Sequence, residues 1–373
     1  MKKTFVAVAV LGAFASSAMA ADVTLYGKID LGLQYQHLDN GTTETDQFKE
    51  SSGQNSGSRF GLKGTEDLGN GMKVGFVLEN GFSADDGKMG QGSRLFGREA
   101  QMNVSGDFGT IGFGRMGSLS SGLGSFNMNS FMAMSTGWGD QASKLSLFGL
   151  NRDRYDNTVV YKTPSFAGFQ VAAQYSFKVD GQEAVHTRAN QRYAALGATY
   201  KNGPFAAGLI VDSIFNTNTA TETNTEDTLG VTLGASYDFE VAKVFGLAQY
   251  GQNENKFGAL KNRGSSTVSP VVTDEGVTGY MIQLGMTAPV LGGTAYATVN
   301  YSDAESDLDK AVGDIGSQDF TGYGVALGYT YNLSKRTYVY TYAGYNELKT
   351  ETEGAADKKD KNTEFGFGLV HSF

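Results

Sequence analysis

Apolar and polar residues alternate along much of this chain with a period of two. In "VTLYGKIDLGLQY", residues 23–35, the odd positions read Val23, Leu25, Gly27, Ile29, Leu31, Leu33 and Tyr35. The even positions include Thr24, Lys28, Asp30 and Gln34. Successive side chains of a strand point to opposite faces, so this pattern predicts a strand with one oily and one hydrated side. The same signature returns in "FQVAAQYSFKV" (169–179), "DTLGVTLGASYD" (227–238), "YMIQLGMTA" (280–288), "TAYATVNYS" (294–302), "YGVALGYTY" (323–331) and "TEFGFGLVHSF" (363–373). No comparable segment shows a 3.6-residue period.

The connections alternate as well. Short ones, such as 66–72, 106–110, 201–204, 291–293 and 332–336, carry Gly, Asn or Asp, and Asn70-Gly71 and Asn202-Gly203 are hairpin dipeptides. Long polar ones are expected at 38–55, 180–190, 216–227, 252–276, 303–319 and 349–363. Short turns on one rim and long loops on the other are the pattern of a membrane barrel, here of about sixteen strands. The predicted fold is therefore all-β, a transmembrane antiparallel β-barrel. A soluble β-sandwich also alternates, but its strands run to about 5–6 residues.

Composition sharpens this. The chain has Gly 51, Pro 4, Tyr 19 and Phe 24, with Cys 0, which excludes disulfides, thiolate metal sites and a Cys nucleophile. No stretch approaches 18 consecutive apolar residues, so helical spans are excluded. "MKKTFVAVAVLGAFASSAMA" reads as a signal peptide over 1–20, cleaved between Ala20 and Ala21. The rest, 21–373, reads as one barrel. Loss of Lys2 and Lys3 would take the formal charge from −9 to −11. An acidic chain without a basic footprint disfavours nucleic acid as a partner.

One segment breaks the pattern. Gly117–Asn151 lacks alternation yet contains Leu119, Leu123, Phe126, Met128, Phe131, Met132, Met134 and Trp138. Its only charges are Asp140 and Lys144. So apolar a loop should be buried. It is expected to fold into the barrel, the other placement being against a neighbouring subunit.

Several stretches together resemble the general porins of Gram-negative bacteria, of the Neisseria and Burkholderia type. They are "VTLYGKIDLGLQY" (23–35), "SRFGLKGTEDLGNGMKVGFVLE" (58–79), "LFGREAQMNVSGDFGTIGFGR" (95–115), "YDNTVVYKTPSFAGFQVAAQYSF" (155–177), "YNLSKRTYVY" (331–340) and the terminal Phe373. The resemblance implies a homotrimeric, 16-stranded outer-membrane diffusion channel for ions and small hydrophilic solutes, with a constriction loop after strand five. It also implies that Phe373 is read by the barrel-assembly machinery and that lipid and lipopolysaccharide surround the barrel.

The resemblance places lumen cations at Lys28, Arg59, Arg98 and Arg154. Parity supports Lys28, Arg59 and Arg154; Arg98 shares parity with Ala100 and Met102, so either a bulge intervenes or Glu99 is the lumen residue. Asp156 is a further candidate lumen acid. Arg154 is expected inside and Tyr155 outside; Arg115 shares parity with Ile111 and Phe113 and is not assigned. The family's acidic loop segment is missing, which reduces any transverse field. A cation ring favours anions, and external acids are screened beyond about 8 Å, so the expectation is weak anion preference or near-neutral selectivity. His37, His186 and His371 show no metal-ligand spacing and no convincing nucleophile to serve. No metal, cofactor or enzymatic activity is expected.

Overall fold

The computed structural model describes residues 23–134, 137–139, 149–150, 152–185, 189–216, 226–254, 276–306 and 317–373. Ala20, Ala21, Asp140, Lys144 and His186 lie outside the described residues. Among the described residues seventeen strand segments dominate: β1 (Thr24–Asp39), β2 (Glu44–Ser52), β3 (Arg59–Gly69), β4 (Met72–Gly81), β5 (Glu99–Gly106), β6 (Gly109–Gly117), β7 (Arg154–Lys162), β8 (Phe169–Ser176) and β9 (Arg192–Asn202). They continue as β10 (Phe205–Phe215), β11 (Leu229–Asp238), β12 (Lys243–Glu254), β13 (Val277–Val290), β14 (Gly293–Ser306), β15 (Gln318–Asn332), β16 (Thr337–Thr352) and β17 (Lys358–Ser372).

Every neighbour pairs antiparallel, and β17 returns to β1 from Lys28↔Ser372 to Asp39↔Lys361, which closes the cylinder. Both β2 and β3 pair with the same side of β1, above and below one another. They are two halves of one stave, so seventeen segments make sixteen staves. Between them, residues 53–58 turn inward onto Asp30. Its carboxylate accepts the Asn55 and Ser56 N–H groups at 2.8 and 2.6 Å and the Tyr340 hydroxyl at 2.6 Å.

The barrel is inverted relative to a soluble protein. Leu284 and Leu327 are each 58% exposed, while Gln34, Thr232 and Gln283 are 0–2% exposed. So large an apolar exterior is suited to lipid, not to water. Tyrosines mark its outer limit: Tyr35 donates to Asp46 at 2.6 Å, and Tyr323 and Tyr345 donate to Glu347 at 2.7 and 3.0 Å. A second belt, with Phe169, Tyr200, Tyr237 and Phe239, lies by the short turns. Tyr rings favour such interfaces because one end is apolar and the other wet.

The outer rim corrects two expectations. Residues 38–55 and 349–363 are not long loops: β1 and β2 are joined by 40–43, and β16 and β17 by 353–357. Above the lipid both faces meet water, so the ladder continues while the alternation that reveals a strand disappears.

Candidate functional site

The described residues of the apolar segment after β6, the fifth stave, lie inside the barrel. Its large side chains seat on inward-facing glycines. A Cβ on Gly112 would stand 2.6 Å from Phe126, on Gly197 2.8 Å from Met128, and on Gly208 2.6 Å from Phe131. One on Gly285 would stand 2.7 Å from Ala133, and one on Gly328 2.6 Å from Trp138. The loop thus runs past β6, β9, β10, β13 and β15 in a track that any larger residue would block. Three buried clusters result, built around Phe126 and Met128, Phe131 and Met132, and Met134 and Trp138. Trp138 packs on Tyr296 with ring centroids 4.8 Å apart, and its backbone N–H donates to the Gln54 carbonyl at 2.5 Å.

The two stems of the loop are held by wall side chains. On the outgoing stem, Gln174 accepts from Leu119 N–H and donates to the Gly117 carbonyl, each at 3.0 Å. Ser120 Oγ donates to Asp212 Oδ2 at 2.5 Å. On the return stem, Arg152 Nε donates to Asp212 Oδ1 at 2.6 Å, and its two terminal nitrogens grip Glu254 at 2.7 Å each. Burial works against the Arg152 charge, but Asp212 and Glu254 outweigh it and hold its pKa well above the ordinary value.

Across from the loop stands a basic wall. Arg59, Lys63, Arg98 and Arg154 line a cavity of about 750 Å³ together with Glu79 and Glu99; among the described residues the loop contributes Gly122–Ser125 and Gly137. Glu79 binds Arg98 at 2.6 Å and Arg59 at 3.7 Å. Lys28 sits directly across the ladder from Arg59. Arg154 also lines a neighbouring cavity of about 600 Å³ with Arg94 and Arg115. Its side chain is 8% exposed, it pairs with the exposed Asp153 at 3.3 Å, and its Nε has no partner among the described residues.

Both Arg98 and Glu99 face the cavity, because Arg98 precedes the β5 ladder while Glu99 starts it. Glu99 is buried and accepts the Ser125 N–H at 3.3 Å. Asp156 is no free lumen acid: Arg94, at 2.7 and 2.8 Å, and Arg115, at 2.7 Å, neutralise it, and Gly181 N–H adds 2.8 Å. Tyr155 is buried against Tyr193 at 4.5 Å rather than facing lipid. Asn157 adopts a left-handed φ of 49°, and the β6–β7 register shifts between Gly114 and Met116, so strict alternation fails. The same shift turns Arg115 inward. Sequence reasoning missed Arg152, Asp212, Glu254 and the glycine track; inward parity of the glycines was the available signal.

Phe373 closes the ladder: it exchanges backbone hydrogen bonds with Gly27 at 3.0 and 3.1 Å, and its ring covers that glycine. His37 shares a 2.8 Å bond with Asp46, and His371 a 2.9 Å bond with Thr337, both on the exposed outer side.

A closed, lipid-facing barrel with a loop folded into its bore is a channel architecture. The sequence profile of the Gram-negative porins matches residues 7–352, and the chain belongs to that family. It is 33% identical over 405 residues to an outer membrane porin of Bordetella pertussis, and 32% over 387 residues to outer membrane porin protein 32 of Delftia acidovorans, with all of each chain covered. The anion-selective porin from Comamonas acidovorans superposes with a TM-score of 0.67 at 26% identity, covering 95% of this chain and all of the other. A trimer form of OmpT from Vibrio cholerae shares the fold, with a TM-score of 0.61 at 18% identity. The protein is an outer-membrane porin, a channel for passive diffusion.

Proposed function

We propose that this porin passes ions and small hydrophilic solutes with a weak preference for anions, through the gap between the inward loop and the basic wall. The supporting observation is charge imbalance at the narrow cavity. Four cations, Arg59, Lys63, Arg98 and Arg154, face two carboxylates, Glu79 and Glu99, and the described loop residues there carry no charge. Fixed cations along a hydrated passage lower the barrier for anions. Lys28, beside Arg59, adds to the same field. Asp140 and Lys144, which belong to the same loop in sequence, cancel one another in formal charge. The anion-selective Comamonas protein is a relative of the same fold.

The remaining parts of the reading follow from the family. Residues 1–20 are an export signal removed at Ala20–Ala21, leaving 21–373 as the barrel. Three copies assemble in the membrane among lipopolysaccharide, and Phe373 presents the last strand to the assembly machinery.

Zero-current potentials in a salt gradient test the selectivity. The parent channel should develop a potential of anion-selective sign, and the Arg59→Ala/Arg154→Ala variant should lose or reverse it. Cation selectivity of the parent, or an unchanged ratio in the variant, would reject the reading.

A further inference from the structure

We propose that the buried cluster of Arg152, Asp212 and Glu254 is a positioning device that sets the width of the open pore. The inference rests on the reading of the inward loop as the constriction. Three charged side chains, 1–3% exposed, meet where the loop leaves and rejoins the wall. Such a buried cluster adds little net stability over apolar residues of the same volume. Its planar, forked guanidinium accepts one orientation, so what it supplies is geometry.

That geometry reaches both sides of the passage. On the loop side, Asp212 fixes Ser120, two residues before Gly122–Ser125, which line the cavity. The link between them is stiff. Ser121 Oγ donates to the Ser118 carbonyl at 2.9 Å, Gly122 N–H to Asn127 Oδ1 at 3.0 Å, and Asn129 Nδ2 to the Ser120 carbonyl at 3.0 Å. On the wall side, Asp212 fixes Arg152, two residues before Arg154, which lines both cavities. One carboxylate therefore references the loop face and the facing cation to each other. The distance between those two faces is the aperture. Asp212 and Arg152 act through Gly122–Ser125 and Arg154; they are positioning residues that lie outside the cavity lining.

Planar-bilayer recording of the full barrel tests this. Arg152→Lys keeps the charge but cannot fork, Ser120→Ala frees the outgoing stem, and the combined Arg152→Met/Asp212→Leu/Glu254→Leu variant replaces the charges with an apolar set that tolerates burial. Each should lose the uniform open step of the parent and show smaller, unequal steps, while unheated gel mobility reports a folded barrel. Folded variants that conduct in the parent's uniform step would overturn the proposal. Because the chain has no Cys, Ser125→Cys provides an independent check. Modification by an anionic thiosulfonate should cut the current, which places the loop beside the passage. An unaltered current there would reject the constriction reading itself, and the proposal with it.

Discussion

Ser120 and Arg152, at opposite ends of the inward loop, bind the two oxygens of one carboxylate: Asp212 Oδ2 accepts from Ser120 at 2.5 Å and Oδ1 from Arg152 at 2.6 Å. The loop is thereby closed at its neck before its apolar body spreads over the wall. Removing Arg152 outright should be severe. Arg152→Ala leaves Asp212 and Glu254 buried without their cation, a loss of about 3–5 kcal/mol. Thermal unfolding in detergent, followed by the heat-dependent gel shift, should show a clearly lower transition than in the parent.

The glycine track makes a steric prediction. Gly328→Ala places a methyl 2.6 Å from the Trp138 ring, and overpacking of this kind costs about 1–3 kcal/mol. The cheapest relief is displacement of the loop tip toward the basic wall, so single-channel conductance should fall. Trp138→Ala combined with Gly328→Ala should restore it, and conductance measured across the four-member mutant cycle checks the coupling.

The selectivity should depend on salt. The Debye length contracts from about 10 Å at 0.1 M to about 3 Å at 1 M. The anion preference proposed for a passage lined by Arg59, Lys63, Arg98 and Arg154 should therefore shrink as mean salt rises at a fixed gradient. Zero-current potentials at low and high salt measure this.

The lipid face of a stave should reject charge. Leu327 is an exposed, lipid-side residue and Ala326 a buried inner one on the same strand. Arg at 327 costs about 2–4 kcal/mol if it lies near the bilayer midplane. Outer-membrane yield of Leu327→Arg should drop relative to the parent, whereas Leu327→Phe should assemble normally.

Much of this was legible in the sequence. The staves announced themselves wherever one face met lipid, as in 23–35 and 323–331, and the apolar Gly117–Asn151 segment announced a buried loop. Failures occurred where lipid no longer constrains the pattern or where a bulge resets it. The outer ends of β1, β2, β16 and β17 are polar on both faces and read as loops. Asn157, in its left-handed conformation, misplaced Tyr155, and the register shift between Gly114 and Met116 concealed the role of Arg115. The Arg152–Asp212–Glu254 cluster joins a loop stem to β10 and β12, and no local period encodes such a contact. Its one trace is Asp212, a carboxylate on the inward parity of the otherwise uncharged "FAAGLIVDSIF".

The most direct test of the whole account is the swelling of liposomes containing the purified barrel in neutral sugars of graded size. Entry of small sugars, with rates that decline steeply as the solute grows, is the predicted result. Vesicles that stay sealed to the smallest sugar would contradict a hydrated bore narrowed between the loop and the Arg59–Arg154 wall.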